Sequence, residues 1–482
     1  MKKSIRIISL TAAAVLTLGM VGCSDNPEDA YSSYWVTEES QIVTGGNNGT
    51  TSNGNQSGGN NSSSGGTNSS SGGNNTSSGG LAGSDLSSKY KNLRGRTITV
   101  IGWWNATQAG TEDYQLILEV EKLFNCNFEE KKLTDYKPLY SSILAGQPMC
   151  DLFVPRDTRD IVLASRNMLQ PLNQLSTFDA DDPLWNPTVL AESSLNGNIY
   201  GMSADTAKRD ILVYNKDLLD SLGYDLYGMS QNGKLTWDVL YEVMSKTAQV
   251  DAGGNVQRYG LAPKYDLGDL ARFMINMNGV AIVSRSGDSK TLTNTLNTAA
   301  GTNALTQLRK WNSTPGYLYD CTQFGWASGL DLFKEGKAAM AITDENGAES
   351  LTSVDFTVGA VMFPHGPDTD KTRVTYEPSS VVMPVGVKDP EDVVLFWSVR
   401  EAYNKQNRKT NIYDSLSDPS VKGTFDAMED ALWNKNYIYD YFNDVGLDTE
   451  IFRKVAAGSQ TPQEAIQTVS QQISGKIADF WK

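Results

Sequence analysis

From Gly45 to Gly80 the chain is glycine, serine, asparagine and threonine, broken only by Gln56. These 36 residues carry no apolar side chain, so they cannot bury enough surface to offset the entropy of ordering them. Any packed fold must therefore be built from the residues beyond Gly80. As a coil the tract has a root-mean-square reach of about 30–36 Å, which makes it a flexible tether. Residues 24–44 are polar with a few aromatics (Tyr31, Tyr34, Trp35) and suggest no structure. Order is expected from near Leu86 to Lys482. The roughly 400 residues beyond the tether exceed what one core usually holds, so two lobes are expected.

The first residues read as a targeting segment. Lys2, Lys3 and Arg6 precede an apolar stretch, Ile7–Val21, that is too short and wrongly flanked for a membrane span. It ends in Met20-Val21-Gly22-Cys23, with Ser24-Asp25-Asn26 after it. This resembles a bacterial lipobox, which implies diacylation of Cys23 and an anchor that holds the protein at a membrane without spanning it. The formal charge is −15 and becomes more negative by three units without Lys2, Lys3 and Arg6. Such acidity leaves no electrostatic footprint for nucleic acid or an anionic lipid surface. Cys126, Cys150 and Cys321 are odd in number and widely spaced, neither a disulfide framework nor a metal motif, and read as small buried residues.

Beyond Leu86, strand and helix patterns alternate. Thr97–Trp104 is an expected strand, and Glu112–Asn125 a helix with Ile117, Val120 and Phe124 on one face. Phe128–Leu133 alternates as a second strand. Tyr136–Ala145 reads as a helix with Tyr140, Ile143 and Leu144 inward. Leu152–Val154 is a third strand and Thr158–Met168 a helix. This order demands a mostly parallel sheet with helices on both faces. Ile211–Tyr214 is wholly apolar, as in a strand buried on both faces. Asn215 is placed to cap a helix carrying Leu218, Leu219 and Leu222, which Gly223 ends. Further on come the strands Tyr259–Ala262, Ala338–Thr343 and Thr357–Met362, interleaved with the helices Leu267–Met277 and Thr302–Trp311. Asp344-Glu345-Asn346-Gly347 reads as a polar loop. Thr461, Pro462 and Glu464 form a capping box that opens a final helix.

Several chemistries lack their residues. The one histidine, His365, lies in a Pro-His-Gly turn, so there is no His-based zinc site, and no Gly-x-Ser-x-Gly elbow accompanies it. No phosphate-binding glycine loop succeeds a strand. No cofactor is expected.

In open parallel sheets ligands sit at the carboxyl ends of strands. The residues there are Trp103-Trp104-Asn105, Pro155-Arg156-Asp157, Lys264-Tyr265-Asp266, Asp344-Glu345-Asn346 and Tyr376-Glu377, with Trp326 in a loop-rich stretch. Aromatic rings interleaved with planar hydrogen-bonding groups suit sugars, whose C–H faces stack while their hydroxyls need bidentate partners. One of Trp103 and Trp104 is expected to face the ligand and the other to pack. Trp237 and Trp397, within helix patterns, are expected in the core.

The lipobox, the tether, the Tyr200-Gly201…Leu212-Val213-Tyr214-Asn215-Lys216-Asp217-Leu218-Leu219 segment and Leu235-Thr236-Trp237-Asp238 together resemble extracellular solute-binding proteins of carbohydrate ABC importers. So do Phe333-Lys334-Glu335-Gly336-Lys337-Ala338-Ala339-Met340, the Phe363–Pro367 turn and Thr461-Pro462-Gln463-Glu464-Ala465. The resemblance covers 86–482. It implies a two-lobed α/β fold of the periplasmic-binding-protein type (type II), with ligand between lobes joined by a hinge that the chain crosses about three times. The boundaries it suggests are a signal peptide at 1–22, an anchored tether at 23–84, one lobe from 85–208 plus 376–408, and the other from 209–375 plus 409–482. Ser203–Asp210 would be the first hinge strand. The ligand residues it implies are Trp103, Trp104, Asn105, Arg156, Asp157, Asp205, Tyr265, Trp326, Asp344, Glu345, Asn346, Tyr376 and Glu377. Many relatives carry a tryptophan after the Ala-Ala-Met strand, where this chain has Asp344-Glu345-Asn346-Gly347. The implied protein is a non-enzymatic, monomeric receptor on the outer face of a Gram-positive cytoplasmic membrane, passing a carbohydrate to a permease. Two other readings stay open. One is a binding protein for a cationic ligand, a polyamine or basic peptide, suited to Asp157, Asp344, Glu345 and Glu377. The other is an anchored glycoside hydrolase that pairs two of these carboxylates.

Overall fold

A computed structural model describes residues 81, 86, 89–102, 107–205, 210–296, 299–322, 324–325, 327–377, 379–408 and 416–482. These residues build two five-stranded sheets, each with its own core. The strands that matter are β1 (Thr97–Gly102), β2 (Asn127–Lys132), β3 (Leu152–Phe153), β4 (Gly201–Met202), β5 (Ile211–Asn215), β6 (Gln249–Val250), β7 (Val256–Pro263), β8 (Ala338–Thr343), β9 (Val358–Met362), β10 (Val374–Thr375), β11 (Val381–Val382) and β12 (Tyr437–Ile438).

The first sheet has the order β2-β1-β3-β11-β4. β1 runs parallel to β2, from Thr97↔Asn127 to Gly102↔Lys132, and parallel to β3. β11 returns antiparallel between β3 and β4. Helix α1 (Glu112–Phe124) is capped by Thr111, whose side chain accepts from Tyr114 N. It buries Ile117, Val120 and Phe124 beneath helix α2 (Pro390–Asn407), where Phe124 meets Phe396 edge-on at 5.4 Å. Trp397 is 6% exposed in the same core.

The second sheet has the order β9-β5-β8-β7-β6. β5 is antiparallel to both neighbours, so its four apolar residues are buried on both faces. Asn215 Oδ1 then accepts from Leu218 N at 2.9 Å and opens a short helix that ends before Gly223 (φ +83°). Trp237 packs edge-on against fully buried Trp311 at 6.1 Å, its indole N–H donating to Pro364 O. The last helix, Pro462–Asp479, carries the complete Thr461/Glu464 capping box.

Four local expectations change. In the helix Lys137–Leu144 the inward residues are Leu139 and Ile143, while Leu144 is 73% exposed. Leu139 and Ile143 are four apart on one stripe, and Leu144 turns about 100° away from it. Of Leu218, Leu219 and Leu222, only Leu219 is buried. The helix expected over Thr158–Met168 contracts to Asp160–Ser165. The expected polar loop after β8 is a short helix, Glu345–Glu349, with Asp344 as its cap. Cys126, Cys150 and Cys321 are buried and unbridged, and burial pushes the thiols of Cys126 and Cys321 up to about 12.

Candidate functional site

Strand register fixes where the chemistry collects in the second lobe. Thr343 and Met362 both lie opposite Ile211, and Ile342 lies opposite Pro263. Parallel β7, β8 and β9 therefore end on the rim where β5 begins. Asp210, Lys264, Asp344 and Phe363 are the first residues beyond those ends.

Lys264 is the centre of this rim. Its side chain is 4% exposed, with Nζ 3.5 Å from Asp344 Oδ2 and 3.6 Å from Asp210 Oδ1. Asp210 also accepts from the hydroxyls of Tyr265 and Thr375. Its backbone is left-handed (φ 63°), a turn the chain makes just before it enters β5. Asp344 Oδ1 accepts from Gly347 N at 2.9 Å as the helix cap. The Lys264 ammonium lies 5.2 Å from the Tyr265 ring centroid. Residues from four separated segments thus share one buried network, which only their ordered pairing could satisfy.

A second polar cluster lies where the lobes meet. Arg159 comes after β3, with its side chain 10% exposed and its guanidinium 4.7 Å above Tyr439 and 5.5 Å from Tyr441. It also reaches Asp160, 3.3 Å away, which in turn accepts from Ser380 Oγ. Glu192 accepts from Tyr437 at 2.5 Å and Tyr441 at 3.0 Å. Tyr439 donates to Asp444. Burial raises the carboxyls of Asp269 and Asp444 above the usual range. Arg272 opposes this at Asp269, and Arg159 then Arg272 at Asp444. Burial likewise pushes the Tyr376 and Tyr437 hydroxyls up.

The residues expected at the strand ends fall into separate groups. Tyr265 and Asp344 join the Lys264 network. Glu345 and Asn346 occupy the first turn of the helix that Asp344 caps. Tyr376 is 5% exposed, wedged between the rings of Tyr437 and Tyr439 at 5.6 and 6.0 Å. Glu377 acts electrostatically on Asp269, Arg272 and Asp444. Asp157 accepts from Tyr140 OH, and Arg156 acts on Tyr136, so both belong to the first lobe beside the helix Lys137–Leu144. Asp205 is exposed, and its main-chain oxygen accepts from Ser203 Oγ. Trp103, Trp104, Asn105, Trp326 and Cys23 lie outside the described residues.

Sequence reasoning set Lys264 at a strand end without giving it a role, and missed Asp210, Arg159, Glu192 and the tyrosines at 437, 439 and 441. One signal was available for the last: Tyr-Ile-Tyr-Asp-Tyr repeats an aromatic at period two, which in extended chain presents three rings on one side. Chemically, these two clusters offer aromatic faces, carboxylate acceptors and guanidinium donors. Among the described residues no group of three or more His, Cys, Asp or Glu could hold a metal ion, and no helix is long and apolar enough to cross a membrane.

Comparison with known proteins supplies the family. The model for bacterial extracellular solute-binding proteins matches residues 129–415, more than half of the chain. No curated protein matches by sequence. Among solved structures, an ABC substrate-binding protein from Listeria monocytogenes in complex with cycloalternan is similar at 18% identity and a TM-score of 0.58, covering 80% of this chain and 99% of that one. The GacH receptor of Streptomyces glaucescens, solved unliganded and with acarbose, is similar at 18% identity and TM-score 0.57, with the same coverage. A solute-binding protein from Agrobacterium radiobacter in complex with ribitol is similar at 17% identity and TM-score 0.55, covering 79% of this chain and 99% of that one. These likenesses establish the two-lobed α/β fold, and with the family match they lead to one statement: the chain belongs to the bacterial extracellular solute-binding proteins.

Proposed function

We propose that this protein is a receptor that binds a sugar or oligosaccharide between its two lobes and delivers it to the permease of an ABC importer. The observation that carries the reading is the convergence of strand ends in the second lobe on Lys264, Tyr265, Asp210 and Asp344. Aromatic rings beside planar hydrogen-bonding groups are what a polyhydroxylated ligand needs. The similar structures solved with cycloalternan, acarbose and ribitol give the reading its ligand class. The ligand residues proposed are Trp103, Trp104, Asn105, Arg156, Asp157, Asp205, Tyr265, Trp326, Asp344, Glu345, Asn346, Tyr376 and Glu377. The cationic-ligand reading is weaker, because Asp210 and Asp344 are already engaged by the buried Lys264 ammonium. Catalysis is not part of the proposal: binding and lobe closure suffice.

The receptor proposed is a monomer on the outer face of a Gram-positive cytoplasmic membrane, lipid-anchored through Cys23 and tethered by 23–84; the lipobox-like Met20–Cys23 supports the anchor. The proposed lobes are 85–208 plus 376–408 and 209–375 plus 409–482. A thermal-shift screen of the purified chain against sugars, polyamines and basic peptides tests the ligand class. Sugars should raise Tm, and Trp103→Ala, Trp104→Ala and Trp326→Ala should show which rings contribute. A shift with polyamines and none with any sugar would overturn the reading. Cleaved oligosaccharide after incubation would support a hydrolase instead.

A further inference from the structure

A cavity of about 670 Å³ has none of Asp210, Lys264 and Asp344 in its lining. None of its lining residues succeeds a strand end in either sheet. One wall is the end of the helix Pro187–Glu192, which precedes β4 in the first lobe. The hairpin of Val283–Arg285 and Leu292–Asn294 and the tyrosine segment around β12 supply most of the rest of the lining, with Gly279, Ala281 and Arg373. The volume falls within the range of small-molecule sites, about 300–1,000 Å³.

The charges in the lining are unequally matched. Glu192 is already occupied: it accepts from Tyr437 and Tyr441 and lies 3.9 Å from Arg285. Asp288 accepts from Gly197 N at 2.6 Å. Arg285 donates from its terminal nitrogens to the carbonyls of Ala191, Glu192 and Ser194, while its buried Nε has no partner among the described residues. Arg373 and Lys435 also line the cavity, and among the described residues neither has a carboxylate within ion-pair distance. The space therefore offers two cations without an ion-pair partner among the described residues, beside tyrosines whose hydroxyls are taken by Glu192 and Asp444.

We propose that this cavity is a second solute site, taking a small polyhydroxy carboxylate of the sugar-acid class. Its carboxylate meets Arg373 and Lys435, and its C–H face lies on the half-buried ring of Tyr437. Guanidinium and ammonium supply charge-assisted hydrogen bonds to carboxylate oxygens, and tyrosine rings supply the apolar wall. Arg373 also lines a small space with Asp210 and Phe363, so the cavity adjoins the strand-end rim there without using its carboxylates.

Calorimetric titration of the purified chain with D-glucuronate, D-glucose 6-phosphate and D-glucose tests this. Glucuronate should bind saturably. The Arg373→Gln/Lys435→Gln double variant should weaken it by at least about tenfold, the cost of losing charge-assisted contacts, while Tm stays unchanged. Ser284→Trp, which fills the cavity from the hairpin, should abolish binding. Asp344→Asn at the rim should leave glucuronate affinity unaltered. The proposal is overturned if glucuronate does not bind, if both cavity variants bind it as the wild type does, or if Asp344→Asn removes it. It is also overturned if the phosphate ester binds through Arg373 and Lys435 and glucuronate does not.

Discussion

Replacing Lys264 by Met tests whether the rim is an electrostatic unit. The ammonium is 4% exposed and stands between two carboxylates at 3.5 and 3.6 Å. Methionine keeps the stem volume and removes the charge, leaving Asp210 and Asp344 facing each other inside the protein. Breaking a buried ion pair by removing one partner costs about 3–5 kcal/mol. Asp210 retains the Tyr265 and Thr375 hydroxyls, and Asp344 retains Gly347 N, so about 3 kcal/mol is expected. Unfolding entropy near about 2.1 cal/mol/K per residue gives roughly 0.8 kcal/mol/K for a fold of about 400 residues, so Tm should fall by about 4 °C. Calorimetry on the purified chain reads this directly. Adding Asp210→Asn and Asp344→Asn should recover most of the loss, because no uncompensated charge remains. A drop below about 1 °C, or a triple variant that melts lower than the single one, would refute the reasoning.

Three other outcomes are expected from the same structure. A Cβ on Gly329 would meet Pro263 O at 2.5 Å, so Gly329→Ala should cost about 1–3 kcal/mol by urea unfolding; a neutral result would show that β7 can yield. The raised Asp444 carboxyl holds its proton more firmly in the folded protein than in the unfolded chain. Its contribution is thus full below the ordinary aspartate value of about 3.9 and is lost as pH rises through the raised value. Asp444→Asn should therefore melt higher relative to wild type at pH 7 than at pH 4, and an equal offset at both pH values would contradict this. Thr461→Ala removes the side chain that accepts from Glu464 N and should cost about 1 kcal/mol, read as a lowered urea midpoint at unchanged slope.

Local features were legible in the sequence. Asn215 as a cap, Gly223 as a stop and the Thr461/Glu464 box each act within a few residues, and the structure has all three. Ile211–Tyr214 declared its burial because a strand covered on both faces needs no polar alternation. Leu144 misled because a helix of eight residues is too short for its apolar stripe to be fixed by periodicity alone. The junction was hidden for a different reason. Tyr437 and Tyr441 meet Glu192 across nearly 250 positions of chain, and no window of sequence reports such a pairing. Lys264 was visible as a residue after a strand. That it bridges Asp210 and Asp344 emerges only once three strands end on one rim.

The position of β1 bears on how the folded part carries load. The first long strand lies inside its sheet, flanked by β2 and β3, and its six residues are all in register with β2. A force applied along β1 would therefore act against a whole ladder of hydrogen bonds in shear. An edge strand would instead peel away one bond at a time. Force that reaches β1 lengthwise would thus meet the fold at a mechanically resistant point.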